Sequence, residues 1–200
     1  MSGLVAPAPV GTPGLVMLLL GLVCFVAALL FVRWRRGRVR EAGAQIGSRS
    51  RLGILIQGVA FFLVAVGPLR PILHPGSAAA LGEAVAVALL VGTCIAMFLS
   101  AAAAMGSNWS FAARTRADHL LVTWGPFATI RHPIYTGLLA MLLAMAVAFG
   151  HWRGLVLALP LFAIGTWIRV EEEERLLRTR FGEQYDAYAA RVKRFVPGLF

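Results

Sequence analysis

Acidic residues are scarce in this 200-residue chain: nine Asp and Glu stand against nineteen Lys and Arg, and charged residues make up only 14% of the total. Cysteine is nearly absent. Cys24 and Cys94 both lie inside apolar runs, where they read as small buried hydrophobes, with no metal spacing and no redox motif. No Gly-x-Gly occurs, which excludes the dinucleotide fingerprint and the phosphate-cradling loop. No His pair has metal-ligand spacing, so no metal site is expected. Ser107, Ser110, Asp118 and His119 have no nucleophile elbow around them. Ionisable groups in the middle of apolar segments, the mark of a transporter path, are missing too.

What is abundant is apolar surface. Hydrophobic residues reach 59% and the mean hydropathy is +0.77, more than a soluble domain of this size can hide. Crossing about 30 Å of hydrocarbon takes roughly 20 apolar residues in a helix. Five segments approach that length, at 15–32, 52–69, 84–105, 134–149 and 154–168. The last two are short, Pro160 interrupts the fifth, and only "GHWR" separates them. They read as a tight antiparallel hairpin, with a re-entrant hairpin as the alternative. The expected fold is an all-α integral membrane protein with five transmembrane helices and a C-terminal amphipathic cytoplasmic helix. Helices one to three (1–105) form a scaffold; residues 106–200, with the hairpin at 134–168, form a catalytic half of the same domain.

The net charge of +10 is distributed as membrane charge, not as a nucleic-acid footprint. Seven Arg lie between segments one and two, three lie in the loop before Ile134, and seven Lys and Arg follow segment five. Only Arg70 and Arg153 fall on the other side, a split of 17 to 2. The positive-inside rule then puts the N-terminus outside and the C-terminus in the cytoplasm. No Lys or Arg precedes the first apolar run, so that run is an anchor and not a cleaved signal. The Arg-rich composition, with Lys193 the single lysine, suggests a GC-rich genome and a bacterial inner membrane.

Polar residues gather on the cytoplasmic side in three places: the loop "DHLLVTWGPF", the cluster "RHPIY" at the mouth of the fourth segment, and the junction at 169–174. Arg169 and Glu173, four apart, share one helix face. They could be an interfacial ion pair or a functional one. Four consecutive Glu near a lipid surface need partners, for which Arg131 and its neighbours are candidates. From Glu171 onward, Leu177, Phe181, Tyr185, Tyr188, Val192 and Phe195 recur at helical spacing. That predicts an amphipathic helix along the membrane surface or capping the bundle, with a kink or break at Gly182 and an end at Pro197.

"HLLVTWGPFATIRHPIYTG" followed by "RVEEEERLLRTRFGEQYDAYAARVKRFVP" resembles the isoprenylcysteine carboxyl methyltransferase family and its phospholipid methyltransferase relatives. The resemblance covers residues 106–197. It implies a membrane enzyme using S-adenosyl-L-methionine and a lipid-like or prenylated acceptor in the bilayer, a carboxyl O-methyltransferase first of all. By resemblance, His119, Leu120, Leu121 and Val122 line the cofactor pocket, and Phe127, where the family more often has Tyr, packs against the cofactor. His132, Pro133, Ile134 and Tyr135 also contact it. Glu173 binds it, and Arg169 faces the substrate; these two are the candidate catalytic pair. In the run of four Glu the family register falls on Glu173 and Glu174. His132 with Arg131 is suited to hold the cofactor's carboxylate. A carboxylate acceptor needs alignment and a water-poor site; an amine acceptor would also need a base, with Glu173 or Glu174 as candidates. Two other readings stay open at this point: an NADPH-dependent membrane reductase of the sterol-reductase type, and a non-enzymatic membrane scaffold.

Overall fold

The structure, a computed structural model, describes residues 7–36, 48–106 and 120–198. Among these the regular elements are all helical. In chain order they are α1 (Thr12–Arg36), α2 (Ser48–Ala65), α3 (Ala78–Met105), α4 (Pro133–Ala148), α5 (Leu155–Phe181) and α6 (Glu183–Arg191), with short 3-10 turns at Gly125–Ala128 and Trp152–Gly154. Three of them, α1, α3 and α5, are long and apolar enough to cross a membrane, and α4 is a shorter apolar helix. Large side chains such as Leu19, Leu30, Phe62, Leu89 and Val156 stay exposed along these helices, which in water would be an unmanageable apolar surface. This is an integral membrane protein.

The helices pack through small and branched side chains. Leu18 of α1, Val87, Val91 and Cys94 of α3 and Met141, Ala144 and Ala148 of α4 form one buried cluster. Ala60 and Val64 of α2, Leu142 and Ala146 of α4, and Ala158 and Phe162 of α5 form a second. Thus α4 and α5 run antiparallel, as the short "GHWR" link dictates, but each lies mainly along a different partner, α4 along α3 and α5 along α2. The pair is wedged into the bundle and is not a self-contained tight hairpin. At the end of the bundle that holds the "GHWR" link, His151 lies between the carbonyls of Val64 and Pro68, at 2.8 and 3.1 Å.

Two sequence expectations change in the last third. Pro160 does not interrupt the fifth helix: α5 runs through it and continues to Phe181. Burial of Ala158 and Phe162 on either side keeps the helix going despite the missing N–H. The tail is therefore not one separate helix from Glu171. Gly182, in the left-handed region at φ 51°, ends α5 and starts α6. The second difference is at the end of the tail, where α6 stops at Arg191, short of Pro197, and Val192 turns extended. Val192 and Phe195, placed on a helix by their spacing, lie instead on a strap. It pairs with the segment before α4, Arg131 N–H donating to the Lys193 carbonyl at 2.8 Å and His132 N–H to the Arg194 carbonyl at 3.0 Å. Backbone pairing with this segment outcompetes the last helical turn.

Candidate functional site

Pro133 occupies the first turn of α4, where its fixed φ is welcome and its missing N–H costs nothing. That places His132 at the helix entrance and Tyr135 one turn in, facing the part of α5 that carries the Glu run. The register of that run follows from its partners. Glu171 points outward. Glu172 pairs with Arg175, Oε1 to Nη2 at 2.7 Å. Glu173 accepts a hydrogen bond from the Tyr135 hydroxyl, and its other oxygen lies 3.6 Å from His132 Nδ1. Glu174 is almost fully buried and meets Arg131 Nη2 at 3.0 Å, Arg194 Nη2 at 2.8 Å and His132 Nε2 at 3.2 Å.

The two carboxylates of the expected pair thus have different tasks. Glu174 is spent on a buried ion cluster that ties α4, α5 and the strap together. Arg131 is spent with it: beyond Glu174, its Nη1 donates to the carbonyls of Ala189 and Val192 at 2.6 and 2.7 Å, closing the end of α6. The sequence-level idea that Arg131 holds a ligand carboxylate therefore gives way to its other expected role, balancing the Glu run. Glu173 keeps a quarter of its side chain exposed and has no Arg partner among the described residues, so it remains open to a ligand. Desolvation would lower the His132 pKa, but hydrogen bonds and charge from Glu173 and Glu174 outweigh it and raise the imidazole above its ordinary value. Arg194, hydrogen-bonded to Glu174, is likewise raised, and its guanidinium lies 4.5 Å from the centre of the Trp167 ring.

Arg169, one turn before Glu173, lies with its guanidinium carbon 5.0 Å from the centre of the Tyr135 ring. Its Nη1 donates to Gln57 Oε1 of α2 at 3.0 Å, and its Nε is buried without a hydrogen-bond partner. The structure therefore brings Arg169, Glu173, Tyr135, His132 and Pro133 together, with Ile134 beside them on α4. Phe127 lies in the 3-10 turn before α4, where its carbonyl accepts from the Tyr188 hydroxyl at 2.7 Å. Burial pushes that phenol up to about 12. Leu120 is exposed, Leu121 and Val122 are half-buried, and His119 lies outside the described residues.

Sequence reasoning missed Gln57, Thr166 and Arg194 as members of this network. The available signal was the presence of Gln57 in the apolar stretch of α2 after Arg51, since a buried amide demands partners. Its partners are 109 and 112 residues away along the chain, and nothing local names them.

With this geometry in view, the family described as phospholipid methyltransferase matches residues 83–184, just over half of the chain. The chain belongs to the phospholipid methyltransferase family. The match takes in α4, α5 and the start of α6, and so holds Arg169, Glu173, Tyr135 and His132 together. The chain is also 30% identical over 112 residues to protein-S-isoprenylcysteine O-methyltransferase of Schizosaccharomyces pombe, covering 52% of this chain and 46% of that protein. Over 98 residues it is 30% identical to the protein of the same name from Tribolium castaneum, covering 46% of this chain and 34% of that one. It spans half or less of the length of either relative. A solved structure of a eukaryotic intramembrane Ras methyltransferase, an isoprenylcysteine carboxyl methyltransferase, superposes with a TM-score of 0.50. That likeness covers 90% of this chain and 63% of the other at 21% identity, a likeness of fold. The two motif blocks read in the sequence therefore resemble the right relatives.

Proposed function

We propose that this phospholipid methyltransferase family member is a membrane-embedded, S-adenosyl-L-methionine-dependent methyltransferase acting on the carboxylate of an isoprenylcysteine or a similar lipid-like acceptor. The observation that carries this is the placement of Arg169 and a partly open Glu173 one turn apart on α5, with Tyr135 contacting both and His132 beside Glu173. Glu173, His132, Pro133, Ile134 and Tyr135 would hold the methyl donor together with Phe127 and the stretch 119–122. When bound, the donor supplies an electrophilic methyl group on a sulfonium.

The chemistry asked of the chain is modest. Arg169 aligns the acceptor carboxylate, the apolar faces of α2, α4 and α5 exclude water, and Glu173 contributes negative charge near a cationic sulfonium. A carboxylate attacks without losing a proton. This suits a site whose second carboxylate, Glu174, is held by Arg131, Arg194, the more distant Arg178 and a histidine and is no free base. In the membrane we assign α1 to α5 to five spans, with the N-terminus outside and the site at the cytoplasmic face, from the 17 to 2 distribution of basic residues. For the bacterial inner membrane, the support is the Arg-rich composition, with Lys193 the single lysine.

The test is ligand binding to the detergent-purified protein. S-adenosylmethionine, S-adenosylhomocysteine and NADPH are titrated in parallel on wild type and Glu173→Ala, followed by methyl transfer to N-acetyl-S-farnesylcysteine. Saturable binding of the first two, lost in the variant, is the expected result. Binding of NADPH alone, or of none of the three, overturns the proposal.

A further inference from the structure

Gln57 sits midway along α2, only 5% exposed, and both ends of its amide are occupied. Nε2 donates to Thr166 Oγ1 at 2.8 Å, and Oε1 accepts from Arg169 Nη1 at 3.0 Å. Arginine carries donors only, so the amide can face it in one orientation, and the Thr166 hydroxyl holds the other end in that orientation.

The reach depends on a glycine contact. Gly53 of α2 and Gly165 of α5 let the two backbones touch: a Cβ at 165 would fall 2.8 Å from the Gly53 carbonyl oxygen and 2.9 Å from Gln57 Cγ. A Cβ at 53 would fall 2.5 Å from Arg169 Cγ, so the arginine stem crosses α2 over that glycine. Arg169 is thereby clamped between a neutral amide on one side and the Tyr135 ring on the other. Among the described residues it makes no ion pair, and its Nε is buried without a hydrogen-bond partner. Its observed contacts, the Gln57 amide oxygen and the Tyr135 ring, are with neutral groups.

We propose that Gln57, oriented by Thr166, is a positioning and specificity-determining residue of the acceptor site: it aims Arg169 while preserving its positive charge for an anionic head group. This rests on the methyltransferase reading for its acceptor and deepens it. Helix α2 then belongs to the site and is not scaffold alone. A carboxylate at position 57 would pair with Arg169 and compete with the acceptor. A side chain without the amide oxygen would leave the arginine unaimed.

The experiment measures binding of N-acetyl-S-farnesylcysteine and of its methyl ester, together with methyl-transfer kinetics and S-adenosylhomocysteine affinity. It uses wild type, Gln57→Glu, Gln57→Met and Thr166→Val. Gln57→Glu is expected to weaken binding of the free carboxylate and raise its KM about tenfold, the scale of one charge-assisted contact. Ester binding, donor affinity and kcat stay within about threefold, because the donor's contacts are untouched. Gln57→Met and Thr166→Val weaken carboxylate binding in the same direction, and they carry the test if the glutamate variant does not fold.

Variants that all keep the wild-type carboxylate preference overturn the inference, and wild-type methyl transfer in the same samples shows that the function itself stands. A preference lost in the variants, with no methyl transfer by wild type, keeps the inference and removes the methyltransferase reading. Wild type that binds neither compound overturns both.

Discussion

Removing the charge of Glu174 should loosen the tail of the protein. The carboxylate is 1% exposed and faces Arg131, 10% exposed, His132, 6%, and Arg194, 21%. Breaking a buried ion pair from one side costs about 3–5 kcal/mol, because the partner charge stays behind in a poor solvent. Three features here pull toward the low end. His132 can shed its proton once the carboxylate charge is gone. Arg131 keeps its bonds to the carbonyls of Ala189 and Val192. Arg194 has water and the Trp167 ring to turn to. Glu174→Gln is therefore expected to cost about 3 kcal/mol, which for a chain of this size is a fall in Tm of roughly 6–12 °C.

The assay is thermal unfolding in detergent, with limited proteolysis of the strap and α6 as a local readout. Glu173→Gln is the internal control one residue away. A quarter exposed and without an Arg partner among the described residues, it should shift Tm by less than about 1 kcal/mol equivalent while losing methyl-donor affinity. An unchanged Tm and an unchanged cleavage pattern in Glu174→Gln would refute the claim that this cluster holds the strap. Loss of Tm in Glu173→Gln equal to that in Glu174→Gln would refute the division of labour between them.

Stability should also depend on pH through His132. Its folded pKa is raised, so its stabilising contribution is fully present below the ordinary value of 6.5 and is lost as pH rises through the higher folded value. Tm measured upward from pH 6 should fall across that window in wild type and fall less in His132→Gln; parallel profiles would refute the assignment. Gly165→Ala should separate α2 from α5, costing about 1–3 kcal/mol as an overpacked contact does. Gly58→Ala, which has nothing within 4 Å of its added carbon, should not lower Tm; equal losses from the two would refute the close-contact argument.

Much of this protein was legible in one dimension. Five apolar runs gave the helices α1 to α5 and their order, because apolar content is a sum over single residues. The placement of Arg169, Glu173, His132 and Tyr135 near one another was legible too: they lie about equally far from a single short turn, at the far ends of the two apolar runs it joins, so antiparallel packing returns them to the same end.

Tertiary structure decided what those residues do there. Which Glu of the run is a buried tie and which is left open depends on the rotation of α5 against the entrance of α4, and four identical letters carry no rotation. Whether Val192 and Phe195 continue a helix depends on the segment before α4 offering Lys193 and Arg194 a backbone partner, which periodicity cannot register. Whether α2 is scaffold or site depends on two glycines, 112 residues apart, letting one glutamine reach one arginine. Composition and periodicity report the solvent each residue prefers, and they did so here; the partner each polar atom finds is a property of two helices at once, and only packing fixes it.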